Sequence, residues 1–151
     1  MRGDSSLSLT IDASVFVSAA MPSEAQFDDS NLFLDHIRLH PQVLQCPMLL
    51  LPEIAASLAR RTDNADVGQN SIYWVTQFPT MSLLMLDMVR TLQASQIAAM
   101  YRLRGADAIY VAIAQEFGTT LITWDREMLT RGLSAVSIMT PTDWLAANAI
   151  S

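Results

Sequence analysis

Three aspartates, Asp12, Asp107 and Asp125, occupy positions from which their carboxylates could act together. Asp12 and Asp125 each stand where a predicted strand passes into a helix, and Asp107 stands at a predicted helix start. Aspartate is a favoured helix N-cap worth about 1 kcal/mol, so capping explains each one taken alone. The carboxyl ends of parallel strands, however, lie along one edge of a sheet, and ligands bind at that edge. We therefore expect the three carboxylates to converge in the folded chain.

Glu53 is the candidate fourth member, because it lies in the apolar segment 49–56; the alternative is a solvated surface glutamate. Asp107 precedes a run, 108–114, with almost no polar face, so it should enter the interior. Two carboxylates about 5 Å apart repel by roughly 3 kcal/mol at an effective dielectric constant of about 20. The sequence contains no lysine to relieve that repulsion. A divalent cation would relieve it, and oxygen ligation with retained water is what Mg²⁺ or Mn²⁺ prefers.

Carboxylate-held divalent ions could supply phosphodiester hydrolysis, because they activate a water and stabilise both the attacking and the leaving oxygen. Several arginines fall near the acidic positions in sequence and could contact the phosphates of RNA. The alternative is that arginines at helix ends offset the helix dipole and solvate the surface. The candidate RNA-binding residues are Arg60, Arg61, Arg102, Arg104 and Arg126.

Composition excludes several other classes of protein. All nine basic residues are arginine. The sequence therefore lacks the lysine that a phosphate-binding GxxxxGK[ST] loop requires, and it lacks the lysine that forms a Schiff base. The formal charge of −6 argues against a basic nucleic-acid-coating protein. No apolar run approaches the roughly 18 residues that span a membrane. One cysteine, Cys46, cannot form an internal disulfide, which favours a cytoplasmic location.

Predicted strands and helices alternate along the 151 residues, and this pattern indicates a single α/β domain over residues 1–151. We expect a three-layer α/β/α sandwich around a central, largely parallel sheet. The predicted strands cover residues 7–11, 43–46, 81–86, 119–123 and 136–139.

Two predicted helices carry apolar residues at helical spacing. In the helix over 31–39 we expect Leu32, Ile37 and Leu39 to face the core. In the long helix that ends near Gly105, we expect five residues to point inward: Val89, Leu92, Ile97, Met100 and Leu103.

The same residues resemble a known family, the PIN-domain ribonucleases, and specifically the VapC-like toxins of bacterial toxin–antitoxin pairs. The matching segments are Ile11-Asp12-Ala13-Ser14, residues 47–61 from Pro47 through Glu53 to Arg61, residues 103–114 from Leu103 to Ala114, and Leu121-Ile122-Thr123-Trp124-Asp125. The resemblance covers essentially the whole chain in order and length. One departure is Pro52: if the helix begins at Pro47, this proline lies deep enough to kink it and to alter the aim of Glu53.

The resemblance implies a metal site and partners. Asp12, Glu53, Asp107 and Asp125 would form an acidic cluster binding Mg²⁺ or Mn²⁺, with Ser14 and Thr123 supporting it through hydrogen bonds. The chain would be an endoribonuclease and a homodimer, inhibited by a cognate antitoxin protein. Two alternatives remain open: a PIN-fold module that binds RNA or a protein without cleaving, and an acidic phosphatase or 5′-nuclease that uses the same ions.

Overall fold

A computed structural model describes residues 8–148 of the chain. None of the helices in this part of the chain is long and apolar enough to cross a lipid bilayer. The strands are β1 (Ser8–Ile11), β2 (Val43–Pro47), β3 (Met81–Leu84), β4 (Thr120–Ile122) and β5 (Ile138–Met139). The helices are α1 (Ala13–Ala19), α2 (Phe27–Leu39), α3 (Leu50–Thr62), α4 (Ala65–Thr76), α5 (Met88–Tyr101), α6 (Gly105–Phe117), α7 (Arg126–Arg131) and α8 (Pro141–Asn148).

The strands form one sheet in the order β3-β2-β1-β4-β5, and every neighbouring pair is parallel. The chain moves outward from β1 to β3 and then returns to place β4 on the other side of β1. The direction of winding therefore reverses between β1 and β4, where Ile11 pairs with Ile122. In sheets of this kind the crevice at the carboxyl ends of the two central strands is where ligands bind.

Helices cover both faces of the sheet, and the predicted three-layer α/β/α sandwich is confirmed. Right-handed crossovers put α1 to α4 over one face and α5 to α7 over the other. The packing agrees, since α3 contacts α1 and α4 while α6 contacts α5 and the central strands. The near-continuous apolar run of α6 is buried because this helix lies across β1, β2 and β4.

Pro52 does not kink α3. This helix begins at Leu50, so Pro52 lies in the first turn, where a backbone N–H would have no partner within the helix. The next residue, Glu53, follows with its own N–H donated to the Leu49 carbonyl at 3.2 Å. The direction of the Glu53 side chain is therefore set by a regular first turn.

Two predicted buried faces are partly wrong. In α2, which begins earlier than predicted, Leu32 and Leu39 are exposed and the buried side is formed by Phe33, Leu34 and Ile37. The helix therefore has more apolar residues than its one core-facing side can bury.

In α5, Ile97 is buried, as predicted, and Leu103, just after the end of the helix, is buried too, whereas Val89, Leu92 and Met100 are exposed. The helix packs against α6, and its buried residues are Ala94 and Ile97. The sequence period identifies apolar positions, but it does not identify which of two apolar faces meets the core.

Candidate functional site

A cavity of about 670 Å³ opens at the carboxyl edge of the sheet, beside the point where the winding reverses. Five carboxylates line it. Four are the predicted residues: Asp12 after β1, Glu53 in the first turn of α3, Asp107 in the first turn of α6 and Asp125 before α7; the fifth is Glu24, which pairs with Arg61. The structure thus brings together the four acidic residues that sequence reasoning selected, although 113 positions separate the first from the last.

Asp12 is fixed in place by hydrogen bonds from neighbouring elements. The Thr123 hydroxyl donates to Asp12 Oδ2 at 2.8 Å, and the Ser14 backbone N–H donates to the same oxygen at 3.4 Å. The Ser14 hydroxyl accepts from the Trp124 backbone N–H at 3.1 Å, which ties α1 to the end of β4. Ser14 and Thr123 therefore orient the carboxylate and join the two strands that flank the cavity.

Asp125 caps α7 while keeping one oxygen in the cavity. Its Oδ1 accepts from the Met128 backbone N–H at 3.0 Å, which is the geometry of a helix N-cap. Its Oδ2 accepts from Arg104 Nη2 at 2.7 Å, and Arg104 Nε also donates to Asp107 Oδ2 at 3.0 Å. The Arg104 guanidinium therefore bridges two of the four carboxylates.

Glu53 is held by Tyr110, a residue that sequence reasoning did not select. The Tyr110 hydroxyl donates to Glu53 Oε1 at 2.6 Å, and the tyrosine ring is fully buried in α6. A signal was present in the sequence: this hydroxyl is the one polar side-chain group within the apolar run 108–114, and a buried hydroxyl requires a partner.

Burial raises the pKa of three carboxyl groups in the cavity. The pKa of Asp12, which is 7% exposed, is raised by desolvation, although the hydrogen bonds from Ser14 and Thr123 oppose the rise. Desolvation likewise raises the pKa of Glu53 and that of Asp107, the latter 9% exposed. The other carboxylates of the cavity add to each rise by charge repulsion. The site therefore holds negative charge at a cost, as a cation-binding site does.

The arginines divide into two groups. Arg60, Arg61 and Arg104 line the cavity, and Arg61 also pairs with Glu24 at its rim. Arg102 and Arg126 lie outside the cavity lining. Arg102 donates to the carbonyl of Met100 near the end of its own helix, in the manner of a helix-terminal arginine.

The donor chemistry of the cavity fits a hydrated divalent cation. Residues 8–148 contain no group of three or more His, Cys, Asp or Glu side chains close enough to hold one ion as they stand. Mg²⁺ commonly keeps several waters and takes one or two carboxylates directly, so a compact cage is not required. The four predicted carboxylates and Glu24 lie in one cavity with no histidine or cysteine among the lining residues, and this set of donors matches that preference.

In a comparison with protein-family models, residues 9–132 match the PIN domain. No curated protein matches the chain significantly in sequence. The family model spans the four predicted carboxylates of the cavity and the three hydroxyl residues that contact them, Ser14, Tyr110 and Thr123.

Several solved structures share the fold. VapC20 of Mycobacterium tuberculosis, a toxin that cleaves the sarcin–ricin loop, superposes with a TM-score of 0.70 at 14% identity, over 82% of this chain and 95% of that one. FitAcB of Neisseria gonorrhoeae superposes with a TM-score of 0.65 at 19% identity, over 89% of this chain and 98% of that one. VapBC2 of Rickettsia felis, bound to a promoter DNA fragment, superposes with a TM-score of 0.66 at 9% identity, over 88% of this chain and 98% of that one. At these identities the likeness is one of fold.

Proposed function

Because the chain belongs to the PIN-domain family, we propose that it is a Mg²⁺- or Mn²⁺-dependent endoribonuclease and the toxin of a toxin–antitoxin pair. The observation that carries the proposal is the convergence of Asp12, Glu53, Asp107 and Asp125 in one cavity at the carboxyl edge of a parallel sheet. Helix capping alone accounts for Asp12 and Asp125, but it gives no reason for Glu53 and Asp107 to line the same cavity.

Each residue of the cavity has a role in this proposal. Asp12, Asp107 and Asp125 are direct or water-mediated ligands of the cation. Ser14 and Thr123 act as supporting residues because they contact or flank Asp12. A bound Mg²⁺ or Mn²⁺ supplies an activated water and stabilises the attacking and leaving oxygens of the phosphodiester.

Glu53 orients the attacking water. Tyr110 occupies its Oε1, which leaves Oε2 to accept a hydrogen bond from that water. The raised pKa of Glu53, caused mainly by burial, makes the carboxylate a better proton acceptor once it is ionised.

RNA enters beside a local positive rim on an otherwise acidic protein. Arg60 and Arg61, at the end of α3, line the cavity next to the carboxylates and supply phosphate contacts in this proposal. Arg102 and Arg126 lie outside the cavity, so their contribution is confined to RNA that extends beyond the cleavage site.

The proposed regulatory partner is a small antitoxin protein. A Klebsiella pneumoniae structure that shares the fold is a toxin–antitoxin complex. A nuclease of this kind acts on RNA inside the cell, so the proposal places the protein in the cytoplasm.

Cleavage of a structured, end-labelled RNA by the purified protein tests the proposed function. We expect discrete fragments with millimolar Mg²⁺ or Mn²⁺ and none with EDTA. Asp107→Asn should abolish the fragments while leaving the far-ultraviolet circular dichroism spectrum unchanged. RNA binding with no cleavage under any of these conditions would support the non-cleaving module instead. Cleavage of phosphomonoesters or flapped DNA alone would support the phosphatase or 5′-nuclease.

Replacing Tyr110 by Phe is expected to lower kcat roughly 10- to 100-fold, the range typical of residues that orient a ligand. KM should change little, because the buried ring remains. The hydroxyl donor lowers the pKa of Glu53, so its loss should move the acid limb of the kcat–pH profile to higher pH. The measurement is steady-state RNA cleavage between about pH 5 and pH 8, with RNA in excess of both KM and the enzyme.

Tyr73→Phe is the matched control, since Tyr73 is exposed on α4 and lies away from the cavity. It should leave both kcat and the pH profile unchanged. A Tyr110→Phe protein with a lower rate but an unshifted acid limb would show that the hydroxyl does not act through Glu53.

The homodimer of this proposal has a suitable surface on α5. We define the α5 apolar surface as the large exposed apolar side chains on and just before this helix: Met85, Leu86, Met88, Val89, Leu92 and Met100. The one charged residue of α5 is Arg90, and it is paired with Glu116 of α6. A predominantly apolar surface fits a second copy of itself, because a twofold interface sets each patch against the same patch.

Replacing Leu92 by Arg is expected to convert a dimer to a monomer, with a dissociation constant raised at least about 100-fold. The change buries like charges against each other across the twofold axis, at a cost of several kcal/mol. Size-exclusion chromatography with light scattering, over a range of concentrations, measures it. Leu133→Arg is the control, because Leu92 and Leu133 are each 57% exposed and Leu133 lies outside α5. A dimer that survives Leu92→Arg would place the interface elsewhere.

A further inference from the structure

The carboxylate oxygens of the cavity differ in how they are used. Asp12, Glu53 and Asp107 each accept hydrogen bonds through one oxygen: Oδ2, Oε1 and Oδ2, respectively. Among the hydrogen bonds within residues 8–148, the second oxygen of each of these groups has no donor. These three carboxylates can therefore take a cation without giving up a partner.

Asp125 is the exception, because both of its oxygens have donors. Oδ1 accepts from the Met128 N–H, and that bond caps α7. Oδ2 accepts from Arg104 Nη2 at 2.7 Å. Giving up the first bond would uncap a helix of six residues. Asp125 can therefore reach a cation at low cost only through Oδ2, the oxygen that Arg104 occupies.

We propose that Arg104 controls the entry of Asp125 into the cation site, by competing with the cation for Asp125 Oδ2. This inference rests on the proposed metal-dependent function and adds a regulatory residue to it. The guanidinium is an internal counter-cation for Asp107 and Asp125, and it leaves Asp125 Oδ2 when a divalent ion takes that oxygen. Because such coupling is reciprocal, any interaction that holds Arg104 on the carboxylates weakens cation binding. Any interaction that draws Arg104 away strengthens cation binding.

The surroundings of Arg104 allow it to withdraw. Its side chain is 65% exposed, so no packing holds it over the carboxylates. Glu127, which lies outside the cavity lining, stands 3.8 Å from Arg104 Nε and offers a third anionic partner. The forked guanidinium reaches Asp107 and Asp125 at once, which a lysine ammonium cannot do with the same geometry. The contact therefore requires an arginine, but the guanidinium is free to leave the carboxylates.

A double-mutant cycle on Mn²⁺ binding tests the inference, with isothermal titration calorimetry as the readout. Arg104→Gln should tighten Mn²⁺ binding at least about tenfold in the presence of Asp125. In the Asp125→Asn background the same substitution should tighten it less than about threefold, the remainder arising from the contact with Asp107. The affinity of the Arg104→Lys protein for Mn²⁺ should lie between that of wild type and that of Arg104→Gln.

Arg126→Gln is the matched control, since it removes one arginine charge from the residue next to Asp125 but outside the cavity lining. It should change the affinity less than about twofold. Equal tightening by Arg104→Gln and Arg126→Gln, or equal tightening with and without Asp125, would overturn the inference and leave the metal site standing. Absence of Mn²⁺ binding to every variant would overturn both this inference and the metal dependence of the proposed function.

A second readout separates competition from a general loss of structure. In EDTA, Arg104→Gln should have a lower melting temperature than wild type, because Asp107 and Asp125 lose their counter-cation. With Mn²⁺ its melting temperature should rise by more than that of wild type. A variant that is less stable in EDTA and gains no more than wild type from Mn²⁺ would show that Arg104 has only a structural role.

Discussion

Replacing Asp12 by Asn is expected to abolish RNA cleavage, lowering the rate at least about 10³-fold, or roughly 4 kcal/mol in the barrier. The same substitution should raise the melting temperature of the protein in EDTA. Asp12 is buried, and desolvation raises its pKa, so its ionised form costs stability at neutral pH. Asparagine removes that charge, remains a good N-cap and still accepts the bond from Thr123. Loss of activity with a gain in stability is typical of a functional carboxylate.

Asp87→Asn is the control for this experiment. Asp87 is also an aspartate N-cap that follows a strand, and it accepts from the Arg90 N–H at 2.9 Å, but it lies outside the cavity. It should alter neither the cleavage rate nor the Mn²⁺ response. Cleavage at the wild-type rate by Asp12→Asn would remove this carboxylate from the mechanism. A lower melting temperature would mean that the charge of Asp12 is compensated in the fold.

Manganese is expected to stabilise the protein, and the stabilisation should grow with pH. The expected gain is about 2.7 kcal/mol at a free concentration one hundred times Kd, which corresponds to roughly 5–10 °C in melting temperature for a domain of this size. Near pH 4 the gain should approach zero, because a cation binds only the ionised carboxylates. Differential scanning fluorimetry with Mn²⁺ or EDTA, at half-unit steps between about pH 4 and pH 8, measures it.

The direction in which stability changes with pH follows from the direction of the pKa shifts. Burial raises the folded-state pKa of Asp12, Glu53 and Asp107 above the values in the unfolded chain. The stability these groups contribute is fully present below the unfolded pKa, about 4, and is lost as the pH rises through the folded pKa values. In EDTA their contribution therefore falls with rising pH. With Mn²⁺ the ionised form is favoured, and the two melting curves separate over the same interval.

Asp12→Asn should lose most of the Mn²⁺ stabilisation, whereas Asp87→Asn should keep it. A shift in melting temperature of equal size at pH 4 and pH 8 would indicate binding of Mn²⁺ to groups other than these carboxylates. No shift at millimolar Mn²⁺ or Mg²⁺ at pH 8 would mean that the cavity is not a cation site.

The two explanations of the aspartates, helix cap and functional group, turn out to be compatible. Asp125 shows how, since one oxygen caps α7 while the other faces Arg104 in the cavity. Asp12 combines the same two positions, at the N-terminus of α1 and at the end of β1. Capping propensity therefore does not count against a site at the carboxyl edge of a parallel sheet, because the helix N-termini lie at that edge too.

Burial was predicted well where a segment has no polar face and poorly where it has a choice of faces. The run 108–114 had to be buried whichever way α6 turned. In α5 the pattern allowed two apolar faces, and the face with Val89, Leu92 and Met100 lies in solvent. Which face meets the core depends on how α5 packs against α6, and the period of the pattern carries no information on that contact.

The amino-acid sequence by itself determined the order of strands and helices, the parallel sheet and the placement of Asp12, Asp107 and Asp125 near one edge. It could do so because periodicity, caps and breakers are local, and crossover handedness restricts the topology. Only the tertiary structure decided which donors meet each carboxylate: Tyr110 at Glu53 and Arg104 across Asp107 and Asp125. These contacts join residues up to 57 positions apart, and their geometry depends on how helices pack over the sheet, to within an ångström. No local pattern in a sequence specifies a distance of that kind.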